Sequence, residues 1–108
     1  MEYEKADIKI LNQIKKIVTE QEPRAKIYLY GSRSRGTAKS NSDWDLLILL
    51  NKEKITPEDE QKIIDPLYDL EFDTGEVISP MIYSEKDWNT KYKITPFYHN
   101  VMREGRLL

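Results

Sequence analysis

Residues 29–50 read LYGSRSRGTAKSNSDWDLLILL. They set two of the chain's four glycines, Gly31 and Gly36, around a Ser-Arg-Ser-Arg core just ahead of two aspartates, Asp43 and Asp45. The run that follows, Leu46 to Leu50, is wholly apolar. A short apolar run of this kind reads as a central strand covered on both faces. Side chains alternate along a strand, so Asp43 and Asp45 project from one face and Trp44 from the other. Two carboxylates held that close repel each other unless something positive sits between them. Their oxygens suit a hard divalent cation, Mg2+ or Mn2+.

The stretch before the loop, Ala25 to Tyr30, alternates β-branched and aromatic residues as a strand does, and Gly31 stops it. A glycine there lets the backbone come close to a ligand, and the amides that follow, with the Ser32 hydroxyl, can donate to phosphate oxygens. Arg33 and Arg35 add candidate phosphate partners, and Gly36 lets the chain turn back. Each half alone has a plain reading. A D-x-D at a strand start is often a pair of solvated acids, and GSRSRG by itself is a flexible polar loop. Brought onto adjacent strands by a short connection, the halves become a phosphate cradle facing a metal-binding pair, the parts that phosphoryl or nucleotidyl transfer requires.

Working outward, Ile10, Leu11, Ile14, Ile17 and Val18 recur at helical spacing within an amphipathic helix from Tyr3 to Glu20, which Pro23 ends. Thr56-Pro57 opens a second helix, with Thr56 as N-cap and Asp59 as the acidic member of a capping box. Ile63, Ile64, Leu67 and Leu70 face inward, and Pro66 is expected to kink or interrupt that helix. Asp73 to Gly75 is a turn, and Glu76 to Tyr83 a third strand that Pro80 confines to an edge or a bulge. Thr95-Pro96 starts a last helix, which Gly105 closes.

With 108 residues and no linker, repeat or low-complexity tract, residues 1–108 form one domain with a single core. The expected class is α+β, with a mixed sheet of three to four strands and helices packed on it. The net charge is −2, with 17 basic and 19 acidic residues intermixed, so nothing points to non-specific binding of nucleic acid. The absence of cysteine excludes disulfides, thiolate metal sites and a cysteine nucleophile. A charged N-terminal stretch and an apolar run of only five residues give no signal peptide and no membrane span, so a cytoplasmic protein is expected. His99, the only histidine, reads as a surface or packing residue.

The pattern Gly31-Ser32, Arg35-Gly36, Ser42-Asp43, Asp45-Leu46 resembles the signature G-S-x-x-R-G…S-D-x-D-L of the DNA polymerase β-type nucleotidyltransferase superfamily. The compact length makes the chain look like a minimal nucleotidyltransferase domain. The resemblance extends to the N-terminal helix and to the ending TPFYHNVMREGRLL, which is similar to the family's terminal helix and E-G turn. It implies the small nucleotidyltransferase fold. It also implies that Gly31 and Ser32 hold a nucleoside triphosphate, that Asp43 and Asp45 bind catalytic Mg2+, and that Arg35 orients the loop or contacts phosphate. Active relatives transfer a nucleoside monophosphate, often AMP from ATP, to a hydroxyl and release pyrophosphate. Stand-alone bacterial members are frequently encoded beside a small helical HEPN-family protein, and some act as antitoxins by adenylylating a tyrosine of that partner.

There is one departure from the pattern. Active relatives carry a third acid on the strand after the middle helix, and here that position falls at or near Ser79, a poor metal ligand and no base at neutral pH. Glu71, Asp73 and Glu76 are the acids close enough in sequence to replace it, and Glu71 is the first choice. Two functions follow. One is a Mg2+-dependent enzyme passing AMP to a protein or small-molecule hydroxyl. The alternative is a nucleotide-binding antitoxin that acts by contact. Acceptor, nucleotide preference and self-association into a homo-oligomer stay open. A third possibility, nucleic acid held by Arg33, Arg35 and Lys39, is disfavoured by the acids beside them. Trp44, Tyr68, Trp88, Tyr92 and Tyr98 are expected to pack in the core or to form a partner surface.

Overall fold

A computed structural model describes residues 5–35 and 42–108, the side chains of Ala6 and Arg35 excepted. Four strands, β1 (Lys26–Tyr30), β2 (Trp44–Leu50), β3 (Ile78–Ser84) and β4 (Arg106–Leu107), form one sheet in the order β3-β2-β1-β4. Among the described residues, five helices accompany the sheet: α1 (Lys5–Gln21), α2 (Ser32–Arg35), α3 (Pro57–Thr74), α4 (Glu85–Asn89) and α5 (Pro96–Glu104). The sheet is mixed. β1 runs antiparallel to β2 and to β4, whereas β2 and β3 are parallel, joined through α3.

The alternation in β2 sorts the core into two layers. Trp44, Leu46, Ile48 and Leu50 meet Ile10, Leu11, Ile14 and Val18 of α1 and Ile63, Leu67 and Leu70 of α3. Leu47 and Leu49 meet Trp88 of α4 and Val101 of α5, with Tyr28, Tyr30, Tyr83 and Phe97 packed around them. Six of the seven β2 residues are buried and the seventh, Asp45, is half-buried. The apolar run therefore does lie at the centre of the sheet with both faces covered.

Three expectations change. Pro66 lies inside α3, which runs unbroken for 18 residues. The capping box of Thr56 and Asp59, the left-handed cap at Gly75 (φ 75°) and the burial of Ile63, Leu67 and Leu70 hold the helix through the one amide that proline lacks. GSRSRG is not wholly loop, because Ser32 to Arg35 make one helical turn straight after Gly31. The chain's last residues add β4, which was not read as a strand because two residues show no alternation. The third strand begins at Ile78 and is an edge, with Pro80 opposite Leu46.

Candidate active site

Asp43 and Asp45 emerge at the start of β2, beside the end of β1 and the start of β3. Register places Tyr30 opposite Asp45 on one side and Ser79 opposite it on the other. Trp44 is fully buried in the α1–α3 layer, so the two aspartates do take the opposite face. Asp43 is exposed, and the Ser79 hydroxyl lies 3.4 Å from its Oδ2. The donor set on this face is thus two carboxylates and a hydroxyl.

Gly31 closes the other side. Its φ is +77°, a left-handed conformation that side chains rarely adopt, and an added Cβ would fall 2.4 Å from Asp45 Oδ2. The backbone conformation favours glycine, and any side chain here would have to displace the Asp45 carboxylate. The chain then turns into α2, and the Ser34 amide donates to the Gly31 carbonyl at 3.1 Å. Ser34, nearly buried, donates its hydroxyl to the Glu104 carbonyl of α5, and the Ser34 carbonyl accepts from Arg106 Nε at 3.3 Å. The loop's first turn is therefore fastened to the C-terminal part of the chain.

Arg33 departs from its expected role. It is 7% exposed and points inward. Its Nε and Nη2 donate to the Ser42 carbonyl at 3.2 and 2.9 Å, Nη1 lies 3.4 Å from Asp7 Oδ1, and Nη2 lies 3.6 Å from Glu76 Oε2. Its guanidinium lies 4.0 Å from the centroid of the Trp44 ring. A buried guanidinium without partners would be costly, and these contacts remove that cost while engaging the donors that a phosphate would need. Arg33 is thereby withdrawn from the phosphate contacts read for it and from the nucleic-acid reading. The side chain of Arg35, together with Gly36 and Lys39, lies outside the described residues.

Two of the candidates for a third acid are engaged elsewhere, and the other is exposed. Glu71 Oε1 accepts from the Ile78 amide at 2.8 Å, Glu76 Oε2 accepts from Trp44 Nε1 at 3.1 Å, and Asp73 is exposed near the end of α3. Among the described residues no three His, Cys, Asp or Glu side chains converge as a metal-binding group. The position beside Asp45 belongs to Ser79, where the sequence pattern had placed it.

Two features of this region were not read from the sequence. Tyr30 is half-buried beside Asp45, and burial, then the Asp45 charge, push its phenol above the ordinary tyrosine range, so it stays protonated at neutral pH. A cavity of about 240 Å³ lies between the end of β1 and α5, lined by Tyr30, Gly31, Phe97, Asn100, Val101 and Glu104. Only tertiary contact joins these residues, which stand some 70 positions apart, so no local signal could have revealed the cavity.

A family model, the nucleotidyltransferase domain, matches residues 11–102, and the chain belongs to that family. A protein of Methanocaldococcus jannaschii, MJ0604, provisionally named a protein adenylyltransferase, is 36% identical over 83 residues, which are 77% of this chain and 76% of that protein. Among solved structures, a crystal structure of a toxin-antitoxin with AMP-PNP superposes with a TM-score of 0.62 at 20% identity, covering 89% of this chain and 69% of that one. The α+β sheet with its helices is the nucleotidyltransferase fold.

Proposed function

We propose that the chain is a metal-dependent nucleotidyltransferase that moves AMP from ATP to a hydroxyl of a protein partner. The observation that carries this reading is the closeness of Gly31 to Asp45, two residues from Asp43, with an added Cβ at Gly31 falling 2.4 Å from the Asp45 carboxylate. Such closeness serves a backbone that must lie against a ligand shared with that carboxylate. The relative named for protein adenylyltransfer and the toxin-antitoxin neighbour crystallised with AMP-PNP support the donor and the kind of acceptor. The partner fitting the family pattern is a HEPN-type protein with an accessible tyrosine.

The donor set suits Mg2+ or Mn2+. These hard cations need oxygen ligands, and Mg2+ is usually held by one or two carboxylates together with water and substrate phosphates. Asp43 and Asp45 would hold the ion, and Ser79 can orient Asp43 through its hydroxyl. When bound, the ion supplies charge neutralisation at the phosphates. Gly31 and Ser32 would position the triphosphate, with Arg35 beside them. The acceptor oxygen attacks the α-phosphorus, the bond from that phosphorus to the bridging oxygen breaks, and pyrophosphate leaves. Ser79 and the protonated Tyr30 are no bases at neutral pH, so the carboxylates of Asp43 and Asp45 are what this face offers for the acceptor's proton.

Serine in place of the third acid favours a second reading, a nucleotide-binding antitoxin that neutralises its partner by contact. Incubation with α-labelled ATP, Mg2+ and a candidate HEPN-type partner protein separates the two. The enzyme reading expects the partner to be labelled by wild type and not by Asp43→Ala/Asp45→Ala. An unlabelled partner that both forms nevertheless neutralise would favour the contact reading.

A further inference from the structure

We propose that Arg33 is a positioning residue for the Asp43–Asp45 pair, acting through the backbone of Ser42 and the ring of Trp44. The proposal rests on the reading of that pair as the metal and nucleotide site. Asp43 precedes the first residue of β2, so the strand ladder alone does not hold it. Arg33 grips the chain on both sides of it. Two donors of one guanidinium, Nε and Nη2, converge on the carbonyl of Ser42 at 3.2 and 2.9 Å, and Cζ of the same group lies over the Trp44 ring, 4.0 Å from its centroid.

The clamp is itself held in place. Glu76 Oε2 accepts from Trp44 Nε1 at 3.1 Å and lies 3.6 Å from Arg33 Nη2, which ties ring and guanidinium to the turn before β3. Asp7 of α1 sits 3.4 Å from Nη1. The Trp44 amide donates to the Val77 carbonyl at 2.8 Å, so the entry to β2 is fixed to the same turn. Arg33 also belongs to α2, the turn that follows Gly31, so one side chain links the cradle to the carboxylate pair. Lysine cannot reproduce this. An ammonium is a point charge that lacks the fork and the flat face.

The test is calorimetric titration of Mn2+ into metal-free protein, with a thermal melt of each variant. Wild type is expected to bind Mn2+, and Asp43→Asn/Asp45→Asn is expected not to. Arg33→Lys should weaken Mn2+ binding about tenfold, the scale typical when a group supporting a metal ligand is lost. Glu76→Gln, which keeps an acceptor for Trp44 Nε1 and loses the charge facing Arg33, should weaken it measurably but by less than Arg33→Lys does. A folded Arg33→Lys with wild-type Mn2+ affinity overturns the positioning role. If Arg33→Lys does not fold, unchanged affinity in Glu76→Gln overturns it instead. Wild type that binds Mn2+ no better than the double aspartate variant overturns the site reading, and the positioning role with it.

Discussion

Gly31 and Ser79 show how far single residues specify this site. Gly31→Ala must place a Cβ against Asp45 Oδ2 in a left-handed backbone, which by itself costs about 1–2 kcal/mol. A lowered thermal midpoint together with weaker Mn2+ binding is the expected result, and calorimetry reads both. Ser79→Asp would set a third carboxylate opposite Asp45, so the metal-free variant should melt lower than wild type through like-charge repulsion. Added Mn2+ should then raise its midpoint by more than it raises that of wild type, because ligand binding stabilises in proportion to affinity. Equal gains would remove Ser79 from the third-ligand position. Gly31 was legible in the sequence as the stop of β1 ahead of the D-x-D pair, and Ser79 only through the resemblance to the family's pattern. Arg33 was misread, because a loop arginine looks the same on paper whether it faces solvent or, as here, carries two ion pairs and an aromatic face.

Helix α3 shows what elements could and could not reveal. Its start was written plainly in Thr56-Pro57 and Asp59, and the structure contains both bonds of the capping box, at 3.2 and 3.0 Å. Thr56→Ala should lower stability by about 1 kcal/mol, measured by urea denaturation. Lys52 hydrogen-bonds Asp59 at 2.7 Å and, with the Thr56 amide, holds its carboxyl at about 2, below the ordinary value of 3.8. The folded state therefore favours the charged form, and the stabilisation is present above about pH 4 and fades as pH falls toward 2. The gap in stability between wild type and Asp59→Asn should close over that window, and a pH series of melts checks it. A gap that persists at pH 2 would assign the effect to packing. Pro66 does not interrupt α3 because helix propensity is local, while Ile63 and Leu67, on either side of the proline, are fully buried in the core. Helices α2 and α4 were missed for the opposite reason, being four and five residues long with too few turns to show a period.

Across the whole molecule, the single informative fact was the unbroken apolar run of β2, from which two covered faces follow. Leu46 and Leu47, one in each layer and both fully buried, test that arrangement. Leu46→Ala and Leu47→Ala should each cost about 2–5 kcal/mol in denaturant unfolding, and a silent change on either side would mean that face is not packed. What the sequence could not supply is the way distant segments converge. Ser34 is fastened to Glu104 across 70 positions, and α5 completes the cavity beside Gly31. Chemistry at this convergence is tested most directly by following which phosphorus of ATP reaches the partner. With wild-type protein, Mg2+ and the HEPN-type acceptor, label from the α-phosphate should transfer and label from the γ-phosphate should leave as pyrophosphate. Transfer of the γ-label, or transfer of neither, would contradict the account.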